Sequence, residues 1–502
     1  MKRKSCFFIV LALLMAMPFV VFAGGGGQTA TAATFGGNPI LSVTSIYHMP
    51  EAPNHAGVES SMERITGYRI NYQWIPATAY RERLNTMMAS DALTDIIVLA
   101  DDFKTTAFMN AMRDGIFWEL DNYIPDFPNL VKIGTARYDN VRRDGRIVAI
   151  PRSRVLVRHG INYRQDWAEE LGFNTPPSTV DELDRLARAM KQRYGLQFSI
   201  TQGINPGSAF GVPDGVLYVA TWLGAPNGWG FDSNGNLIHT WLTPQFMEAL
   251  DLFRTWFNDG IMNRNFIEIN NEDAKGYINT EEAGIVILAA DDIRSRFMDL
   301  NVRNPNARLW YSISFNGRQH STTGFNAGLA FSKRSANTEE RLRHALQWVN
   351  NLGTPEFQTI RRMGLEGEHY TIVNGVAVQS QEQLDRFARF ATSYSAVNVF
   401  EDVIDFHVPL EFPANFNSLR QSMRNYDDTA TTDPTTPFVS ETQSRIGSFE
   451  LDPLRTDAIN KYIAGAITRA QLQEAQQRWL ATGGAQVTRE FQEQIRAAAA
   501  RR

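Results

Sequence analysis

Apolar residues alternate with polar ones in short segments along the N-terminal part of the chain, and helical repeats separate these segments. Residues 40–46 and 68–75 follow a period of two and residues 95–100 form a short apolar run, so we expect three strands. Residues 54–65 and 79–89 lie between them and have helical character. This β-α-β-α-β order predicts a parallel sheet whose ligand edge lies at the carboxyl ends of the strands.

The rest of the chain shows the same mixture of strand and helix patterns. Thr179 and Glu182 have the spacing of a capping box before a periodic run, which predicts a helix through Met190. Residues 283–290 and 325–332 predict two further strands, the first of them buried. An extended segment around residues 151–157 is a candidate crossing from one lobe to another.

The stretch GLEGEHYTIVNG has a composition that fits neither a regular helix nor a regular strand. Its apolar triplet runs into Asn374 and Gly375, a pair that favours a tight hairpin turn. Glu366, His369 and Tyr370 in the same stretch are compatible with a catalytic set, a ligand contact or a shaped corner.

The first residues have the pattern of an export signal. Three cationic residues precede an apolar run over residues 7–22, and Val21 and Ala23 have the small-residue spacing of a cleavage site. We therefore expect a signal peptide over residues 1–23 and a flexible linker over residues 24–37. An uncleaved membrane anchor is the alternative.

Cysteine content and charge exclude several kinds of chemistry. The only cysteine, Cys6, precedes the apolar run, so we expect no lipid anchor, no disulfide and no thiol catalysis in the mature chain. Removal of Lys2, Arg3 and Lys4 changes the formal charge from −5 to −8, since 46 basic residues then face 54 acidic ones. This balance argues against nucleic acid as a partner.

Neither a catalytic nor a metal-binding motif is present in the sequence. Adjacent carboxylates point to opposite faces of a strand, so the acid pairs do not predict a glycosidase pair. We therefore predict no catalytic residue, metal or cofactor. Asp101 and Asp291 differ from the other acids because they follow buried strands, where they suit either ligand hydroxyls or helix capping.

Tryptophans cluster in a region rich in Gly and Pro. Trp222 and Trp229 flank a predicted loop and hairpin, whereas other tryptophans lie in periodic helices. A flat indole packs well against the C–H face of a pyranose. We therefore interpret these two residues as a carbohydrate-binding surface.

Several segments, taken in order, carry a family resemblance. They are LNTMMASDALTDIIV, LDNYIPDFPNL, DGRIVAIP, NYRQDWAEELGFNTPPSTVDEL, MEALDLFRTWFNDGIMNRNF, EEAGIVI, GLEGEHYTIVNG and INKYIAGAITRAQLQEAQQRWLATGG. This ordered set resembles the extracellular solute-binding proteins of bacterial ABC transporters, in particular a large oligosaccharide-binding, lipoprotein-like branch. Two departures are the absence of Gly and Pro in residues 91–95 and of a calcium loop at residues 192–195.

The resemblance implies an α/β, two-lobed periplasmic binding protein fold with hinge crossings near Val155 and Ser321. We expect lobe one to comprise residues 38–154 and 322–410, and lobe two to comprise 155–321 and 411–502 with the C-terminal helices. The turn GLEGEHY is then a scaffold element.

The function that the resemblance implies is capture of a carbohydrate, expected to be an oligosaccharide, by lobe closure. The partners would be ABC transporter permease subunits, and the protein would be an exported monomer in the periplasm or outside the cell. The alternatives are a secreted carbohydrate-active enzyme, or a binding protein of the same fold for a peptide or another solute. By their position at predicted strand ends and loops, the expected ligand contacts are Tyr47, Trp74, Asp101, Arg152, Trp222, Trp229 and Asp291.

Overall fold

Two mixed sheets organise the chain, and we call the parts built on them lobe one and lobe two. The computed structural model describes residues 34–48, 50–90, 92–100, 105–204, 211–389, 394–400 and 414–500. The lobe-one sheet has the strand order Ile70–Pro76, Leu41–Tyr47, Ile96–Ala100, Phe325–Phe331, Ala149–Ser153. The lobe-two sheet has the order Leu309–Ser312, His159–Arg164, Ile285–Ala289, Ile200–Thr201.

The predicted parallel unit is present in lobe one. Strand Leu41–Tyr47 pairs in parallel with Ile70–Pro76 on one side and with Ile96–Ala100 on the other. Strand Phe325–Phe331 returns antiparallel between Ile96–Ala100 and Ala149–Ser153. The mixed α/β fold class predicted from the pattern is confirmed.

Helices connect and cover the strands of both lobes. In lobe one they are Ala56–Thr66, Tyr80–Ala89, Thr106–Arg113, Pro128–Val131, Thr135–Val141, Glu339–Leu352, Pro355–Met363 and Gln381–Ala388. In lobe two they are Gln165–Glu170, Val180–Tyr194, Asp214–Trp222, Pro244–Asn258, Asn271–Asn279, Ile293–Arg303, Ala414–Asn425, Glu441–Ile446, Asp452–Ile463, Arg469–Trp479 and Ala485–Ala499. Among the described residues, none of these helices combines the length and apolarity needed to span a membrane.

Local side-chain bonds explain where elements begin and end. The Thr179 hydroxyl accepts the backbone N–H of Glu182 at 3.1 Å, and the Glu182 carboxylate accepts the N–H of Ser178 at 2.8 Å. These bonds satisfy donors that a helix start otherwise leaves unpaired. The helix continues beyond the predicted Met190 to Tyr194 and stops at Gly195, whose φ of 63° is left-handed.

Strand Ile285–Ala289 of the lobe-two sheet is buried on both faces. In lobe two, the side chains of Ile285 and Ile287 belong to one apolar cluster, whereas Val286 and Leu288 belong to another. Successive residues of a strand point to opposite faces, so this strand is covered on both sides. The lobe-one cluster is separate and extends from Leu41 to Phe400 in sequence.

Two extended segments cross between the lobes and pair with each other. Val157 and Ser321 form an antiparallel bridge, and the backbone N–H of Thr322 donates to the carbonyl of Leu156 at 2.7 Å. A third segment joins them, because the N–H of Ser153 donates to the carbonyl of Val399 at 3.1 Å. The predicted crossings near Val155 and Ser321 are therefore extended segments joined by one β-bridge and a neighbouring backbone hydrogen bond.

A buried ion pair ties early and late parts of lobe one together. Asp95 is fully buried directly before strand Ile96–Ala100, and its carboxylate accepts two hydrogen bonds from Arg341, both at 2.7 Å. It also accepts the backbone N–H of Ser42 at 2.8 Å. Burial acts to raise the pKa of Asp95, but the bonds from Arg341 and Ser42 outweigh it, so the pKa lies below its ordinary value.

We expect Asp95→Ala to lower the free energy of unfolding by about 3–5 kcal/mol, because it leaves the Arg341 guanidinium without its carboxylate partner. Urea unfolding followed by circular dichroism measures this loss. Asp126→Ala is the control, since Asp126 forms a solvent-exposed pair with Arg343 at 2.8 Å. Such a pair contributes about 0–1 kcal/mol.

The Asp95 contribution should also depend on pH. Because its folded pKa is lowered, the stabilisation is present above the unfolded pKa of about 3.9 and disappears as pH falls through the folded pKa. If Asp95→Ala lowers the free energy of unfolding at neutral pH no more than Asp126→Ala does, this account of the pair is contradicted.

Candidate functional site: the edge of lobe two beside the crossings

The crossings determine which edges of the two sheets face each other. Strand Ala149–Ser153 ends at the first crossing and His159–Arg164 begins after it. The parallel strands of lobe one, and strands Ile200–Thr201 and Ile285–Ala289 of lobe two, have their carboxyl ends at these same edges. In open α/β sheets, ligands bind at the carboxyl ends of the strands.

A concave site of about 430 Å³ lies at this edge of lobe two, and we call it the lobe-two pocket. Its polar and aromatic lining includes Arg158, His159, Asp214, Tyr218, Asn271 and Lys275. Arg158 and His159 follow the first crossing, while Asp214 and Asn271 begin the helices Asp214–Trp222 and Asn271–Asn279. The pocket therefore collects residues from one crossing, one strand and two helix starts.

Two stacked rings are part of the pocket lining. The His159 and Tyr218 rings are stacked with centroids 4.3 Å apart and planes 11° apart. His320, from the second crossing, lies 4.7 Å from the Tyr218 ring, and its Nδ1 is 2.9 Å from the hydroxyl of Thr221. Burial holds the pKa of His159 well below its ordinary value, so this ring is neutral at neutral pH.

Two buried polar atoms of the pocket lack hydrogen-bond partners among the described residues. They are Nδ1 of His159 and the amide oxygen of Asn271. The Asn271 amide nitrogen donates to the Asp214 carboxylate at 2.8 Å. Since buried polar atoms are nearly always paired, these two are suited to hydrogen bonds with a bound ligand.

The charged groups of the pocket are paired with one another. Arg158 donates to Asp291, with nitrogen–oxygen distances of 2.8 and 2.9 Å. Lys275 contacts Glu272 at 2.7 Å and also contacts Asp292. Burial acts to raise the pKa of Asp214, and it outweighs the opposing bond from Asn271.

The predicted contacts of lobe one lie on or near its facing edge. Tyr47 ends its strand and is half-buried, and its carbonyl accepts the N–H of Ala77 at 2.8 Å. Trp74 is half-buried on the outer strand and stacks on Tyr72 with centroids 4.7 Å apart. Arg152 is half-buried beside the first crossing. Asp101 lies outside the described residues.

The lobe-two tryptophans do not belong to the pocket, which corrects the prediction for them. Trp222 is fully buried as the last residue of helix Asp214–Trp222 and stacks on Phe315 with centroids 4.1 Å apart. It lies eight residues after Asp214, about 12 Å deeper along the helix axis. Trp229 is 7 % exposed and its ring lies 5.4 Å from that of Phe491. Both indoles pack in the core.

Sequence inspection identified Asp291, which is bonded to the pocket residue Arg158, but missed His159, Asp214, Tyr218 and Asn271. Their only local signals are position: His159 opens the strand after a crossing, and Asp214 and Asn271 open helices. Tyr218 follows Asp214 by one helical turn, so it lies on the same helix face. Helix starts were the signal that would have found two of these residues, Asp214 and Asn271.

A second cluster, formed by His55, Glu368 and His369, has the residue types of a metal site. The Nε2 atoms of His55 and His369 lie 3.0 and 3.6 Å from the same Glu368 oxygen. Each Nδ1, however, accepts a backbone N–H, from Val58 at 3.2 Å and from Leu365 at 3.1 Å. A metal-bound histidine instead donates through its second nitrogen, so this arrangement fits hydrogen bonds to Glu368 better than a metal.

The same cluster explains the GLEGEHY turn. Gly364 has a φ of 82°, and a Cβ there would lie 2.6 Å from the Cβ of His369. His369 and Tyr370 are buried, and the N–H of Gly367 donates to the Tyr370 carbonyl at 2.8 Å. The hairpin predicted after it is present as Thr371–Val373 and Val376–Val378. In the structure, this stretch packs and bonds locally as a scaffold element does.

Fold and sequence together define the class of protein. The profile of the family described as bacterial extracellular solute-binding protein matches residues 58–359, more than half of the 502-residue chain. The chain belongs to this family. The predicted resemblance is thereby confirmed.

Individual relatives cover nearly the whole chain at low identity. The chain is 23% identical to "Lipoprotein LipO" of Bacillus subtilis, over 95% of this chain and 97% of that protein. It is 24% identical to the B. subtilis "Polygalacturonan/rhamnogalacturonan-binding protein YtcQ", over 98% of each.

Solved structures share the two-lobed fold. A solute-binding protein of Bifidobacterium longum infantis, titled as binding HMO, has a TM-score of 0.65 at 14% identity and covers 91% of this chain and 99% of its own. The N-glycan transport solute-binding protein of Streptococcus pneumoniae has a TM-score of 0.61 at 14% identity, with 92% and 99% coverage.

We expect Trp222→Ala to lower the free energy of unfolding by about 3–5 kcal/mol, the usual cost of removing a buried aromatic side chain. The affinity of the folded fraction for its ligand should not change, because the indole does not reach the pocket. Thermal unfolding and calorimetric titration measure the two quantities separately. Phe231→Ala, which removes a ring that is 52% exposed, is the control and should cost little stability.

If Trp222→Ala keeps near-native stability but binds its ligand more weakly, the indole is part of the ligand site and this assignment to the core is wrong.

Proposed function

We propose that the protein is the binding component of an ABC importer that captures an oligosaccharide and delivers it to permease subunits in the membrane. The observation that carries this proposal is the lobe-two pocket, where the stacked His159 and Tyr218 rings lie near the unpaired polar atoms of His159 and Asn271. Aromatic faces suit the C–H face of a pyranose, and such polar atoms suit its hydroxyls. Similarity to relatives named for binding a polysaccharide and for transporting N-glycans supports the same ligand class.

Capture requires contacts from both lobes, because a ligand shifts an equilibrium only by binding one state better than the other. We take residues 38–154 and 322–410 as lobe one, and 155–321 and 411–502 as lobe two. Bending at the paired crossings would bring the two facing edges together.

The proposed contacts from lobe one are Tyr47, Trp74, Arg152 and Asp101. From lobe two we propose His159, Tyr218, Asp214 and Asn271, with Asp291 acting through Arg158.

The protein acts by binding rather than by turnover, as a monomer. A glycan panel incubated with catalytic amounts of protein tests this point, since released product would favour the secreted-enzyme alternative.

Export by a cleaved signal peptide, without lipid, completes the proposal. Val21 and Ala23 have the cleavage spacing, and Cys6 precedes the apolar run instead of following it. The relative named as a lipoprotein differs from this proposal in its anchoring.

His159→Ala should raise the dissociation constant for an oligosaccharide by roughly tenfold or more, because it removes one stacked ring and one hydrogen-bonding atom of the pocket. A thermal-shift screen of mono- and oligosaccharides first identifies a ligand, and calorimetry then compares the variants. His344→Ala is the matched control, since His344 is a half-buried histidine beside Tyr68, with ring centroids 5.8 Å apart, away from the pocket.

Equal affinity in wild type and His159→Ala would remove the lobe-two pocket from the binding site.

The protein released by an exporting host should begin at Gly24 and remain in solution without detergent. N-terminal sequencing checks the start, and phase partitioning checks for lipid. An intact Met1 start, or recovery in the detergent phase, would reject the proposed processing.

A further inference from the structure

The lobe-two pocket has more carboxylates than cations among the described residues. Arg158 and Lys275 are the cations that line it, and each is already in contact with a carboxylate. The acidic side chains in or bonded to this lining are Asp214, Glu272, Asp291 and Asp292. Among the residues that the structure describes, the pocket thus offers a ligand anion no cation that lacks a carboxylate partner.

Asp214 is the acid that matters most for a ligand. It is half-buried in the pocket lining, and the Asn271 amide occupies one of its oxygens at 2.8 Å. The Asn271 amide carries no charge, so it does not neutralise the carboxylate. A carboxylate in this setting accepts hydroxyl donors and repels a second carboxylate more strongly than a fully exposed one does, because it is half-buried.

Two helix starts at the pocket have the opposite electrostatic effect. Helices Asp214–Trp222 and Asn271–Asn279 direct their positive ends toward it. Each start already contains acidic residues, however: Asp214 in the first helix, and Glu272 and Asp273 in the second. The Asn270 side chain also accepts the N–H of Asp273 at 2.9 Å. These groups compensate the partial positive charges before a ligand arrives.

We propose that the sugar unit held in the lobe-two pocket is uncharged, and that Asp214 determines this selectivity by accepting its hydroxyls. His159 Nδ1 and the Asn271 oxygen supply the remaining hydrogen bonds. This inference rests on the proposed function and specifies its ligand class. It separates this protein from the relative named for binding polygalacturonan, a chain of uronic acids.

The test compares neutral oligosaccharides with oligogalacturonides and their methyl esters, by calorimetric titration of the full exported chain. An oligogalacturonide and its ester differ only in the free carboxylates. We expect the best neutral oligosaccharide to bind about tenfold or more tightly than any oligogalacturonide, and esterification to strengthen whatever weak binding the latter shows.

An oligogalacturonide that binds as tightly as the best neutral sugar would overturn this inference and leave the proposed function standing. Failure of every saccharide to bind would overturn the proposed function itself.

Asp214→Asn tests the assigned residue. It should weaken binding of the neutral ligand, because the carboxylate that accepts its hydroxyls is lost. It should also reduce the preference for the neutral ligand over the uronate, because the repelling charge is gone. Asp181→Asn is the matched control, since Asp181 is an exposed acid in the first turn of helix Val180–Tyr194. An unchanged ratio of the two affinities in Asp214→Asn would overturn the role of Asp214.

Salt dependence in the wild-type protein tests the same repulsion if the variant does not fold. Added NaCl should improve uronate binding relative to the neutral ligand, because screening weakens like-charge repulsion. Weaker uronate binding at higher salt would instead indicate attraction and overturn the inference.

Discussion

The pairing of the two crossing segments is the constraint on which the rest of the structure depends. Val157 and Ser321 bridge the two segments, so the chain leaves and enters each sheet at one edge. The carboxyl ends of the parallel strands of both lobes lie at these edges, and so does the lobe-two pocket. Gly160 shows how closely the chain packs there, because a Cβ at this position would lie 2.1 Å from the Ser312 carbonyl oxygen.

One helix supplies an aromatic residue to the pocket and another to the core. One face of helix Asp214–Trp222 carries both Tyr218 and Trp222, one turn apart. Tyr218 stacks on His159 at the edge of lobe two, and Trp222 stacks on Phe315 in the core. An indole buries more apolar surface than a phenol, so placing the tryptophan in the core contributes more to folding, while the tyrosine keeps a polar atom near the edge.

Ion pairs also have different roles in the two lobes. In lobe one, the Asp95–Arg341 pair joins segments that are far apart in sequence, and its role is in folding. In lobe two, Arg158 is paired with Asp291 and Lys275 with Glu272 at the pocket. Fixed pairs of this kind arrange the site before a ligand binds and leave the Asp214 carboxylate, His159 Nδ1 and the Asn271 amide oxygen as the proposed recognition groups.

The sequence by itself determined the α/β class, the parallel unit of lobe one, the crossings and the family, because these follow from local periodicity and from the order of segments. It also placed Asp291 at a strand end next to the cleft. It could not distinguish Trp222 as a core residue from Tyr218 as a pocket residue, since the two share a helix and differ only in depth along it. Which of the two lies in the pocket depends on where the helix begins relative to the edge of the lobe-two sheet. That position is set by contacts between residues distant in sequence, such as His159 with Tyr218 and Asn271 with Asp214.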